Sequence, residues 1–415
     1  MRRRRGVRIL RGMAAAATAG AAAVGFGRLC DGAAGLHAAL TKAAPIAGYA
    51  TLPLGLMMAA LFARRFAPHA GGGGIAQVVA AAHDPVPPRP DRRISLRTAV
   101  FSAALCLLLF ASGASIGPEG PTVQIGAALA AALARTRGVA RRALLAAGGG
   151  AGLAAAFNTP VAGVVFAAEE LAGGLDRRDE RVVLLGVAGA AAAAWRLTGD
   201  YVYFGHLRVE ALGSAWLAAP LTGLAGGLVG GLFARAMKSL VGPRPGVLGR
   251  LRAARPLAFS AACAVTALVV AAASGGMTFG PGSPETRALL HGEPVQGLAF
   301  APLKWIATLA AAAAGGPGGL LSPVLAIGAG AGSALSGVLP FAAGRDVVAL
   351  TMASCFAGVT QAPVTSVVLV MELTREPAIA GPLIVACAVA QYVSARAFGA
   401  PLYHVLAEGW TQRRH

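Results

Sequence analysis

A single carboxylate, Glu119, stands between two Gly-Pro pairs in SIGPEGPTVQIGA, residues 115–127, a stretch with no other charge. A short apolar segment opening on Gly and Pro reads as a helix that begins inside an apolar medium. Glycine allows close backbone approach, and proline suits a first helical turn. Such a start has N–H groups without intrahelical acceptors and a partial positive charge, and both attract anions. A carboxylate placed there is a tethered anion. Charged, it occupies the amide site; protonated, it leaves, so one side chain couples a proton to the movement of an anion that competes for the same position.

The pattern recurs further along the chain. GPEGPTVQIGA (117–127) aligns with GLLSPVLAIGA (319–329) at an offset of 202, sharing the first Gly, the Pro and the terminal Ile-Gly-Ala. PVAGVVFAAE (160–169) aligns with PVTSVVLVME (363–372) at an offset of 203, with Pro and Glu nine apart in both. Two motifs at nearly one offset divide the chain into two structural repeats, about 30–200 and 215–400. Paired repeats with interrupted helices mark transporters whose binding site lies at the repeat interface. Two helix starts facing each other there, around Gly117 to Pro121 and Gly318 to Pro323, enclose an anion with backbone amides and no fixed lysine or arginine to trap it. AGGGGIAQ (70–77) is a third candidate start; as a phosphate loop it fails, because no Gly-Lys-Ser/Thr follows. Of the remaining acids near apolar windows, Glu169 and its repeat partner Glu372 read as structural acids at helix ends. His404 reads as solvated or interfacial.

The elements that position these residues follow from composition. The 415 residues are 56% hydrophobic and 13% charged, with a mean hydropathy of +0.66, which excludes the soluble and disordered classes. An all-α polytopic membrane protein is expected. Charge-free windows at 43–63, 98–118, 143–168, 211–234, 256–284, 305–344, 347–371 and 377–395 include several long enough to span. The windows 120–134 and 182–195 are too short to cross a core of about 30 Å at about 1.5 Å per residue, so broken or half-depth helices are expected. The net charge of +19 comes from short clusters (Arg2 to Arg5, Arg64-Arg65, Arg92-Arg93, Arg141-Arg142, Arg177-Arg178, Arg413-Arg414) between apolar windows, which fits loop anchoring and not a nucleic-acid partner. The expected organisation is a basic cytoplasmic N-terminus (1–10), a first membrane repeat (11–210), a second (211–405) and a short tail (406–415). Five scattered cysteines without CxxC and seven histidines without HExxH give no disulfide framework and no metal site. With no nucleophile–base constellation either, neither an enzyme nor a cofactor is expected.

The motifs resemble those of the CLC family of chloride channels and proton-coupled chloride antiporters, in family order from about residue 43 to the C-terminus. GPEGPTVQIG resembles the GREGP motif, which makes Glu119 the gating glutamate. GLAAAFNTPVAGVVFAAEEL (152–171) resembles the segment ending in a Glu-Glu pair, whose second member, Glu170, is implied to be the inner proton-transfer glutamate. GGLLSP (318–323) resembles the GxFxP motif, implying that the amides of Leu320 and Leu321 face the central ion. PLYHVL (401–406) supplies Tyr403 as the ion-binding hydroxyl, and RRFAPHAGGGGIA (64–76) resembles the segment carrying GSGIP. The resemblance implies two inverted-topology repeats, a homodimer with one anion pathway per subunit, and a place in a bacterial inner membrane. It also implies chloride or a related monovalent anion, bound by Gly73, Gly117, Gly120, Leu320, Leu321 and Tyr403, moving against protons. A passive channel keeping Glu119 only as a gate is the alternative. Gly73 stands where the family has a serine, Pro118 where it has arginine and Leu321 where it has phenylalanine, so the central site is expected to lose a hydroxyl donor and the outer site a positive charge and a backbone N–H. With twelve residues after Tyr403, no regulatory cytoplasmic domain of the kind found in eukaryotic members is expected.

Overall fold

The computed structural model describes residues 2–85, 91–134, 139–174, 177–209, 212–293, 295 and 299–412. Two of the expected features fall outside them: the Arg413-Arg414 cluster and the 210/211 boundary between the repeats. Among the described residues the chain forms eighteen α-helices and no named strand.

In the first half these are α1 (Arg2–Ala43), α2 (Pro45–Phe66), α3 (Ile75–His83), α4 (Leu96–Ala111), α5 (Glu119–Ala134), α6 (Val139–Phe157), α7 (Pro160–Phe166) and α8 (Arg177–Thr198). The second half contains α9 (Leu212–Val241), α10 (Val247–Ala254), α11 (Pro256–Ala273), α12 (Ser283–Leu290), α13 (Phe300–Ala314), α14 (Leu321–Ser336), α15 (Gly344–Thr360), α16 (Pro363–Thr374), α17 (Ala380–Phe398) and α18 (Leu402–Gln412). The residues set apart as a tail therefore continue α18 as far as Gln412.

Local chemistry sets several of these boundaries. Proline occupies the first turn of α2, α7, α11, α12 and α16, where its missing N–H removes no helical bond. Ser95 caps α4 by accepting from the Thr98 N–H. Gly72 and Gly74 adopt positive φ (98° and 74°), which aims the chain sharply into α3.

Among the described residues five helices are long and apolar enough to cross a membrane: Pro45–Phe66, Glu180–Thr198, Leu212–Val241, Pro256–Ala273 and Pro377–Phe398. The second of these corrects the expectation that 182–195 is too short. Its helix runs through Arg181 and Arg196, which bound the charge-free window, because long basic side chains can lie along an apolar surface while their heads reach polar surroundings. α5 is short as expected, with sixteen residues.

The two halves pack alike. α5 lies on α6 as α14 lies on α15, α6 meets α8 as α15 meets α17, and α7 contacts α16 across the middle. A Cβ at Gly126 or Gly148 would meet the other's carbonyl, so α5 and α6 approach backbone to backbone. The halves are two inverted repeats, and the helix starts singled out in the sequence meet where they join.

Candidate functional site

Main chain sets the frame of the junction. The Gly117 N–H donates to the Gly319 carbonyl at 2.8 Å and the Gly319 N–H donates back at 2.7 Å, an isolated antiparallel bridge between the approaches to α5 and α14. A parallel bridge between Gly72 and Pro317 brings the start of α3 alongside. Gly120 packs against the Gly73 carbonyl, leaving no space for a Cβ. Three helix starts thus converge, each with N–H groups that the helix itself does not pair.

Glu119 lies at this convergence with none of its surface exposed. The Ser322 hydroxyl donates to its Oε1, and the backbone amides of Glu119 and Ser322 point at the carboxylate. Its Oε2 has no protein partner, and lies against Gly117 and Gly319, where any side chain would collide with it. The carboxylate therefore stands where an anion would be bound, held by donors from both repeats.

Gly73, Leu320 and Tyr403 line a cavity of about 360 Å³ beside this point, with Arg64 and Arg252 also on its wall. Tyr403 is only 1% exposed, its hydroxyl has no protein partner, and it is within electrostatic reach of both Glu119 and Glu170. A buried hydroxyl without a partner is costly unless something polar fills the space before it. Leu320 and Leu321, 3% and 1% exposed, form the entry of α14. At Gly73 a Cβ would have its nearest neighbour, the Gly318 carbonyl oxygen, at 3.6 Å, an ordinary contact.

Glu169 and Glu170 sit on a single π-helical turn, Ala167–Leu171, that continues α7 and sends them to different neighbours. Glu169 accepts from the N–H groups of Val364 (3.3 Å) and Thr365 (2.7 Å) and from the Thr365 hydroxyl (2.7 Å), at the start of α16. Glu372, on α16, accepts from the N–H groups of Val161 (3.0 Å) and Ala162 (2.6 Å), at the start of α7. Each repeat's acid thus caps the other repeat's helix. Glu170 is 1% exposed, and its Oε1 lies 3.5 Å from His404 Nδ1.

The structure brings Gly73, Gly117, Glu119, Gly120, Leu320, Leu321 and Tyr403 to one locus, and places Glu170 apart from it, linked through α18. Two participants went unread in the sequence. His404, read as solvated or interfacial, faces Glu170. Ser322 was inside the quoted GGLLSP but had been given no part, although the 202-residue offset sets it opposite Gly120, beside the acid.

Residues 55–395 match the family model for the voltage gated chloride channel. The H(+)/Cl(−) exchange transporter ClcA of Yersinia pestis is 31% identical over 416 aligned positions, covering 88% of this chain and 80% of that one. Among solved structures, a slow cyanobacterial Cl−/H+ antiporter superposes with a TM-score of 0.81 at 21% identity over 98% of each chain. A CLC-type fluoride/proton antiporter gives 0.82 at 21% identity, over 97% of this chain and 98% of that one. The chain is a multi-pass membrane protein and belongs to the voltage gated chloride channel family, the CLC proteins.

Proposed function

We propose that the protein exchanges chloride, or a related monovalent anion, for protons across a bacterial inner membrane, with Glu119 as the gate. The observation that carries this reading is the buried Glu119 carboxylate, held by amides and a hydroxyl at the meeting of two helix starts. The family resemblance further supports a homodimer with one pathway in each subunit.

The steps follow from the donors. Arg64 and Arg252 lie on the wall of the 360 Å³ cavity, which we read as the cytoplasmic entrance, and their field concentrates anions there. An anion leaving the cavity exchanges water for the Tyr403 hydroxyl and the amides of Leu320 and Leu321. Each such hydrogen bond to a charged partner contributes about 1.5–3 kcal/mol. No lysine or arginine clamps it, so it is released again. The next position is filled by the Glu119 carboxylate, which repels it. Protonation removes that charge, frees the carboxyl from the amides and opens the position to the anion. On the cytoplasmic side Glu170 supplies and collects the proton, with His404 between it and solvent and Tyr403 within reach of both acids. Because anion and carboxylate exclude each other at the amides, anion movement in one direction is tied to proton movement in the other.

Purified protein in liposomes under a chloride gradient tests this. Proton movement against a pH gradient, driven by chloride alone, is the expected result. Anion flux that leaves the proton gradient untouched indicates a passive channel and overturns the exchange reading.

A further inference from the structure

Ser322 leads away from the gate as well as holding it. The Tyr203 hydroxyl lies against Ser322 and hydrogen-bonds Ser283 Oγ at 3.0 Å. Tyr203 and Ser283 line a second cavity of about 700 Å³ that also reaches Pro118. Its wall carries Arg28, Asp31, Arg287 and Glu293, charges that keep water at its surface. Tyr203 is held in place: its ring meets Phe157 and Phe204 edge-on at 5.1 Å and 4.9 Å, and the Phe204 N–H bonds the Leu373 carbonyl at 3.0 Å.

We propose that Ser322, Tyr203 and Ser283 form a hydroxyl relay through which Glu119 exchanges its proton with this second cavity. A charged carboxylate only accepts, so the Ser322 O–H points at Glu119. That leaves the Ser322 oxygen to accept from Tyr203, and the Tyr203 oxygen to accept from Ser283. The donors are thereby ordered toward the acid. To protonate Glu119, Ser322 gives up its proton as it takes one from Tyr203, Tyr203 takes one from Ser283, and Ser283 takes one from water in the cavity. Each hydroxyl loses one proton and gains one; the net change is one proton moved from the cavity water to the carboxylate. Release runs the same steps backward after the hydroxyls turn. The relay lets the gate exchange its proton while the anion occupies the route through the amides.

The inference rests on the exchange reading, and its test separates the two. Chloride and proton fluxes are measured in liposomes for the unsubstituted protein, Tyr203→Phe, Ser322→Ala and Ser322→Thr. Tyr203→Phe keeps the ring contacts and removes only the hydroxyl; Ser322→Thr keeps a hydroxyl. The proton-to-chloride ratio is expected to fall severalfold in Tyr203→Phe with chloride flux retained; in Ser322→Ala, which also removes the donor holding Glu119, the ratio is expected to fall, and to recover in Ser322→Thr. An unchanged ratio in Tyr203→Phe and Ser322→Ala overturns the relay and leaves exchange standing. Chloride flux without protons in the unsubstituted protein overturns both.

Discussion

Glu169 and Glu372 answer each other across the repeats, whereas Glu119 and Glu170 answer nothing. At the matching offsets the second half has Leu321 opposite Glu119 and Leu373 opposite Glu170. The paired acids do the same thing twice, each accepting from two N–H groups at the start of the opposite repeat's helix. The unpaired acids are buried, incompletely satisfied and turned toward Ser322 and His404. Where the repeats keep their symmetry the acids hold the fold; where one repeat departs from it the acids are available for proton chemistry.

Substitutions test that division, beginning with the largest effect. Glu119→Gln is expected to abolish chloride-driven proton movement in liposomes while anion flux persists, since an amide neither carries the proton nor competes as an anion. Coupled transport at the unsubstituted rate removes Glu119 from the unpaired, functional class. Glu170→Gln is expected to stop proton movement and leave chloride permeation close to normal. Normal coupling in that variant assigns Glu170 to the structural class beside its neighbour.

Gly73→Ser sharpens the picture of the anion's own site. The position has ordinary backbone and room for a Cβ, so a hydroxyl fits there. One more hydrogen bond to the ion is expected to tighten chloride binding by roughly tenfold, corresponding to about 1.4 kcal/mol. Calorimetric titration of the two folded proteins checks it, and equal affinities move residue 73 off the pathway. The smallest effect belongs to the paired acids. Glu169→Gln and Glu372→Gln each weaken a charged cap by about 1–2 kcal/mol and are expected to lower the apparent Tm by similar small amounts with coupling intact. Loss of proton coupling in Glu169→Gln, in a protein as stable as Glu372→Gln, breaks the comparison.

Much of this was legible in the chain because it is written in local signals. Pro and Glu nine apart, repeated 203 residues later, announced the repeats, and GPEGP with its aligned partner GLLSP announced α5 and α14 as helix starts. The length of α8 was misjudged because charge-free windows stop at arginines that a membrane helix can include. Ser322 and Tyr203 were illegible for a different reason. Serine and tyrosine are compatible with almost any environment, and their roles arise from partners 203 and 80 residues away, Glu119 and Ser283. His404, beside Tyr403, reads in the sequence as solvated or interfacial, and only the π turn bearing Glu170 reveals what it faces.

The bridge between Gly117 and Gly319 has an evolutionary consequence. It is made of peptide groups, so it demands nothing of neighbouring side chains beyond the space that these two glycines leave for Glu119. Sequence on either side is free to drift while the amides stay in register. Proline at 118 and leucine at 321, where the resembling family has arginine and phenylalanine, are the kind of variation such a frame tolerates, which lets ion preference and coupling be retuned one residue at a time without rebuilding the pore.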